Sequence, residues 1–522
     1  MVAYEMKSST SVTSRGGGQV ERDNAHLQRM GKKPVLKRNF GILSILGFSC
    51  TILGTWEGLL GVFTCQQLAA LQHSLTCISG GSGGAIYAYI FGWVGWRLPQ
   101  EANTTGLLCL PQLDSQKFLS FITGWFAVLG WQSAFAACAF LTGKMIQGAA
   151  ILGNNLYNAL PWQGTLIVWG SLSLALVVNL LGGNLLPRIE AVILVVHILG
   201  FFGIIIPLTY MADHNTKSRF FCLSKMEEAL PRKVYPGSCA FAFAGGDAAV
   251  HMSEEVANAS TVIPNALMIS VGINGCLGFG MIIVMMFCTD ADLGGTLGKA
   301  TGYNFMGIFM EATNSVPGSL TMCAIVITIY VCSLMGLLAA ASRQLWSFSR
   351  DRGVPGWRLW SQVSPTKQLP IYAIILTVTI AVLLSLINIG SNTAMEDIVS
   401  MAVSGIYLSY LTVSILLFYR RVRGDISLFN DNEDDIVNVP GAKLVWGPFH
   451  CPGIIGTAIN GYAVIYVSIV VFFSFWPSTM DPTVETMNWS ILAIGGSVFL
   501  AIIYYVVRAR HIYKGPIIEV SL

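Results

Sequence analysis

Charge is scarce in this chain. Asp, Glu, Lys and Arg together make up 11% of the 522 residues, where ordinary soluble domains carry roughly 25%. Apolar residues make up 54%, and the mean hydropathy is +0.63. So few polar side chains cannot cover the surface of a water-soluble fold of this length, which excludes a soluble enzyme. A disordered chain needs low hydrophobicity and high net charge, and is excluded with it. The formal net charge of +3 is too small for a nucleic-acid surface. No Cys-x-x-Cys pair, Cys/His metal spacing, nucleophile motif or glycine-rich phosphate loop occurs, so neither a metal nor a cofactor is expected. Of the twelve cysteines, most sit inside apolar runs, among them Cys50, Cys138, Cys276, Cys323 and Cys332, and read as small packing residues. Residues 1–39 lack a signal-peptide pattern and read as a polar tail ahead of a first span.

What the chain does have is long charge-free stretches. About 20 apolar residues cross a hydrocarbon core of about 30 Å. Twelve such segments are expected, near 40–70, 77–97, 117–148, 162–184, 187–210, 235–256, 264–288, 317–345, 370–390, 395–420, 453–477 and 487–507. They read as helices, because lipid cannot satisfy open backbone groups and the runs lack the alternation of barrel strands. The fold class expected is therefore an all-α polytopic membrane protein. With both termini cytoplasmic, the inner loops and tails hold 23 of the 30 Lys and Arg and the outer loops 6, which fixes that orientation.

Two of the segments are interrupted. The first reads Gly54-Thr55-Trp56-Glu57-Gly58 in mid-membrane. Gly weakens a helix interior by about 1 kcal/mol relative to Ala, and an acid in lipid costs on the order of 3 kcal/mol. The sixth carries Phe243-Ala244-Gly245-Gly246-Asp247, a second glycine break followed by an acid. Taking segments 1–5 and 6–10 as two halves, each break falls in the first helix of its half. Paired interruptions of this kind point to an inverted-repeat transporter with its site at the bilayer midplane. Packing is the competing reading for either glycine motif alone. The chain divides accordingly into a tail (1–39), a first five-helix repeat (40–210), a second (235–420), a cytoplasmic loop (421–452), helices 11 and 12 (453–507) and a short tail (508–522).

The run Ala244 to Val256, with His251-Met252-Ser253-Glu254-Glu255 at its centre, followed by Asn258-Ala259-Ser260 and Ile263-Pro264, resembles the helix 6 signature of fungal amino acid/choline permeases. That branch contains GABA permeases and choline transporters of the amino acid–polyamine–organocation (APC) superfamily. Ser44 to Phe48, Gly54 to Gly58, Ile122 to Trp125, Gly130-Trp131-Gln132, His197 to Phe202, Ala341-Ser342-Arg343 and Ser349 to Pro355 match as well. The resemblance implies a LeuT-type five-plus-five inverted repeat with two further helices. It also implies secondary, proton-coupled uptake of a small amine-bearing solute such as an amino acid, GABA or choline, in the plasma membrane first and the vacuolar membrane second. Residues 97–117, with Pro99 and Pro111, depart from the family pattern. That departure keeps a competing class open, a non-transporting membrane receptor or an inactive relic.

The substrate cradle expected is Gly54, Thr55, Trp56, Glu57 and Gly58 with Phe243, Ala244, Gly245, Gly246 and Asp247. Trp56 and Phe243 are placed to cover an ammonium by cation–π contact, against ordinary packing. Glu57 and His197 are the proton-coupling candidates, since imidazole titrates near neutral pH. For each, a structural hydrogen bond is the alternative. Lys144 is expected to snorkel or to pair with Glu57 or Asp247. His251, Glu254 and Glu255 facing Arg343 and Arg350 suit a cytoplasmic gate closed by ion pairs, a solvated acidic face being the plainer reading.

Overall fold

The computed structural model describes residues 23–24, 32–61, 116–154, 156–181, 185–211, 244–288, 301–389, 394–427, 444–446, 451, 453–477, 483–484 and 487–515. The first apolar segment forms α1 (Ile42–Leu53) and α2 (Thr55–Gly61), separated at Gly54. Then come α3 (Gln116–Gly153), α4 (Pro161–Leu181) and α5 (Leu186–Met211). The second interrupted segment is described from Ala244 and contributes only a single turn, α6 (Ala248–His251), and a 3₁₀ turn, Ser253–Glu255. It leads into α7 (Ala259–Cys288), α8 (Asn304–Thr313), α9 (Val316–Arg350) and α10 (Trp357–Trp360). The chain continues through α11 (Ile371–Ser385), α12 (Ala394–Arg423), α13 (Gly453–Ser474), α14 (Ser490–Tyr504) and α15 (Arg510–Ile512).

Nine helices among the described residues are long and apolar enough to cross a membrane. They fall on nine of the twelve expected segments. The ninth expected segment is the shorter α11, continued by a 3₁₀ turn over Leu386–Ile389. The described part of the sixth is broken, and the second, near 77–97, lies outside the described residues, as does the divergent stretch before Gln116. One helix was not foreseen. α8 lies between two spans and buries Phe305 and Phe309 against each other at 5.3 Å. A two-residue parallel strand pair, Ile426–Ser427 with Leu444–Val445, is the one sheet among the described residues.

At 1.5 Å per residue, the 38-residue α3 and the 35-residue α9 run to about 57 and 52 Å, well beyond a hydrocarbon core of about 30 Å. Both are needed as pillars: α3 packs most extensively on α12 and α9. The α3–α12 approach is a backbone contact. A Cβ added at Gly130 would lie 2.4 Å from the Ile406 amide nitrogen, and one at Gly405 would lie 2.6 Å from that of Gly130. Small residues at such crossings let helix backbones meet where lipid gives no hydrophobic drive. The outer helices instead turn apolar side chains outward, as at Leu199, Ile454 and Phe499.

The interrupted segments are tied together at one end. Asn39 and Phe40 both donate their amides to the Glu255 carbonyl, at 3.0 and 3.1 Å, and Ala257 donates to the Phe40 carbonyl at 3.1 Å. The chain entering α1 is thus stitched by backbone bonds to the chain leaving α6.

Candidate functional site

The first break starts from Gly54, whose φ of +41° is the left-handed conformation that favours glycine. Ending α1 there strips the next amide and the last carbonyls of their helical partners. Neighbouring helices replace them. The Thr55 amide donates to Oδ1 of Asn274 on α7 at 3.2 Å, and Nδ2 of the same residue donates to the Cys50 carbonyl at 3.2 Å. From α9, the Ser333 hydroxyl donates to the Thr51 carbonyl and the Tyr330 hydroxyl donates to the Glu57 carbonyl at 3.3 Å. The interruption is therefore a built feature, with backbone groups on both sides of Gly54 held by side chains of neighbouring helices.

The second break meets the first. Gly245 has φ +90°, and a Cβ there would lie 3.5 Å from the Ile52 side chain in the last turn of α1. One cavity of about 60 Å³ opens onto both breaks, reaching Gly54, Glu57 and Gly58 on one side and Ala244 and Gly245 on the other. Apolar side chains make up most of its remaining wall, with Tyr330 and Ser333 as polar members.

Inside this cavity Glu57 is the only ionisable carboxyl among the lining residues. It is 2% exposed. Its Oε1 lies 2.5 Å from Nδ1 of His197 on α5, within hydrogen-bond distance. Oε2 of Glu57 and Nε2 of His197 have no hydrogen-bond partner among the described residues. Glu190, one further acid on α5, is fully buried without a partner for either oxygen among the described residues and lies against Gly336 of α9.

The other expected cradle residues fall in different places. Trp56 is fully buried beside His197 and Phe201, at ring distances of 5.8 and 6.0 Å, and lies outside the cavity lining. Thr55, Gly246 and Asp247 also lie outside it. The Asp247 carboxylate accepts from the Tyr410 hydroxyl, from Nε1 of Trp131 at 3.4 Å and contacts Nε2 of His251 at 3.1 Å. It thereby ties the second break to α3 and α12. Phe243 lies outside the described residues. Lys144 pairs with neither Glu57 nor Asp247; the acid whose charge reaches it is Glu396 at the start of α12.

The gate candidates do come together. Arg343 Nε donates to Glu255 at 2.8 Å and Arg350 Nη1 to Glu254 at 2.8 Å. The first pair is buried, 2% and 7% exposed at the side chains. The two adjacent glutamates of the 3₁₀ turn Ser253–Glu255 thus take different arginines. His251 faces Asp247 and the Trp131 ring rather than an arginine.

Asn274, Ser333, Tyr330, Trp131 and Tyr410 escaped the sequence reading as site residues. For Asn274 a signal existed: an amide in the middle of an apolar span is expensive unless it finds a partner.

An all-α bundle of membrane-length helices, with two interrupted segments opening onto one cavity, defines a polytopic membrane transporter. Residues 71–499 match the amino acid permease family model, and the chain belongs to that family, within the APC superfamily; it is not a class of enzyme. The match runs through 97–117. Among relatives, a Macrophomina phaseolina protein described as an amino acid/polyamine transporter is 26% identical over 86% of this chain and 97% of its own length. Amino-acid permease 2 of Neurospora crassa is 22% identical over 98% and 92%. The choline transporter of Saccharomyces cerevisiae is 24% identical over 91% and 82%.

Proposed function

We propose that this chain takes up a small amine-bearing solute, an amino acid, GABA or choline, and couples its passage to a proton held by Glu57 and His197. The observation that carries this reading is the Glu57–His197 contact at 2.5 Å within a cavity bounded by both helix breaks. The free Oε2 of Glu57 is an acceptor for the solute's ammonium, and apolar walls suit the remainder of a small solute. A cation arriving at Oε2 weakens the carboxylate's hold on the shared proton, since like charges compete for one anion. That links solute binding to proton release without a further group. The names of the relatives, which include amino-acid permease and choline transporter, support the same solute class.

On this reading 40–210 and 235–420 are the two inverted repeats, both termini are cytoplasmic and the membrane is the plasma membrane. The orientation is supported by the basic residues Lys32, Lys37, Arg188, Arg350 and Lys367, which lie at one end of the bundle with the two ion pairs of the gate. The test is uptake by the purified chain in lipid vesicles with an imposed inward proton gradient. Labelled neutral amino acids, GABA, choline and a polyamine form the panel. Accumulation of at least one of them, abolished by a protonophore, is expected. Silence across the whole panel contradicts transport of this class, and accumulation indifferent to the protonophore contradicts the coupling.

A further inference from the structure

At the end of the bundle where α1 begins, a cavity of about 550 Å³ lies apart from the solute cavity. Five separate parts of the chain build it: the entry to α1, the end of α4, the start of α5, Glu255 after α6 and the stretch before α11. Three of them bring a cation, Lys37, Arg188 and Lys367. The single acid in its wall, Glu255, is engaged by Arg343. Lys367 donates to the Leu180 carbonyl at 3.1 Å, which cancels the exposed negative end of α4. The N-terminal end of α5 adds the positive pole of a 26-residue helix. Arg188 is exposed and has no ion pair among the described residues. The cavity is thus strongly cationic in a chain that has little charge to spare.

We propose that this cavity binds the phosphate headgroup of an anionic phospholipid. The inference rests on the orientation given above, which sets the cavity at the cytoplasmic leaflet, where anionic lipids and basic pockets meet. What selects a lipid over a free organic phosphate is the neighbouring wall. Leu181 is 71% exposed and Leu185 45% exposed, and both line the same cavity. A cationic floor beside bare leucines fits an amphiphile, headgroup on the arginine and lysines and acyl chain along the leucines. Because Lys37 and Asn39 belong to the entry of α1, and Asn39 is bonded to the Glu255 carbonyl, a headgroup seated here holds α1 against α5 on the side where the gate closes.

The test is lipid retention by the full chain in phosphatidylcholine nanodiscs doped with phosphatidylinositol, read by native mass spectrometry. Lys37→Gln/Arg188→Gln is expected to retain phosphatidylinositol about thirtyfold less than the parent, as loss of two charges at about 1 kcal/mol each implies. Phosphatidylcholine retention is expected to stay unchanged, which separates the effect from misfolding. Arg188→Lys is expected to keep most of the binding. Equal phosphatidylinositol retention by parent and double variant overturns the proposal. So does displacement of the lipid by millimolar glycerophosphoinositol, which assigns the cavity to a free organic phosphate. These readouts do not depend on transport, so failure of the uptake experiment leaves them interpretable.

Discussion

At the scale of single residues, Glu57 and His197 are joined by geometry that no spacing in the sequence announces, since 140 residues separate them. Each was visible as a titratable group in an apolar span. That they form one unit was not, because the contact depends on how α2 packs against α5. Asn274 makes the complementary point. It holds the Thr55 amide and the Cys50 carbonyl across the break, and all of these groups are buried. Asn274→Ala is expected to take its bond from the Thr55 amide and one of the two bonds at the Cys50 carbonyl, which keeps the Gly54 amide, and to cost about 1–3 kcal/mol. In detergent this is read as a lower midpoint of thermal unfolding, together with weaker solute binding. A midpoint unchanged from the parent would remove Asn274 from the architecture of the break. Asp247 shows what a residue-level reading leaves out. A carboxylate next to a glycine pair looked like part of a cradle, yet Tyr410, Trp131 and His251 already hold it.

At the scale of elements, the helices were the most legible feature. A run without charge can be placed along the chain from composition alone, and α3, α4, α5, α7, α9, α12, α13 and α14 fall where such runs lie. α8 escaped because ten residues are too few for the span criterion, and its burial comes from packing over the bundle rather than from length. The ion pairs of the gate candidates were legible in charge but not in register. Glutamates at adjacent positions cannot be assigned to partners until the turn that carries them is known. The geometry makes the two pairs unequal. Arg343–Glu255 is buried and Arg350–Glu254 more exposed. Breaking a buried pair leaves an unpaired charge and costs about 3–5 kcal/mol, and the cost falls as solvent reaches the pair. Glu255→Gln is therefore expected to destabilise the protein clearly more than Glu254→Gln in matched thermal unfolding. Equal losses, or a larger one for Glu254→Gln, would contradict the assignment.

At the scale of the whole molecule, paired breaks on two apolar segments 190 or so residues apart converge on one cavity, while backbone bonds between the Phe40 and Glu255 regions close one end. A cavity of about 60 Å³ has room for a few waters, each needing about 10–15 Å³ of such a volume. Seating a solute therefore requires α1 and α6 to part from α3 and α9. α3 and α12 are locked by the Gly130–Gly405 approach, whereas α1 packs on α5 and α7. The measurement that bears most directly on the proposed cycle is proton movement accompanying solute entry. It is made in vesicles holding a pH-sensitive dye, with a solute from the uptake panel. The parent chain is expected to acidify the lumen when solute is added outside. Glu57→Gln is expected to bind or exchange solute without moving protons, and His197→Ala to couple poorly. Solute-driven acidification by Glu57→Gln at the parent's rate and pH dependence would contradict the account.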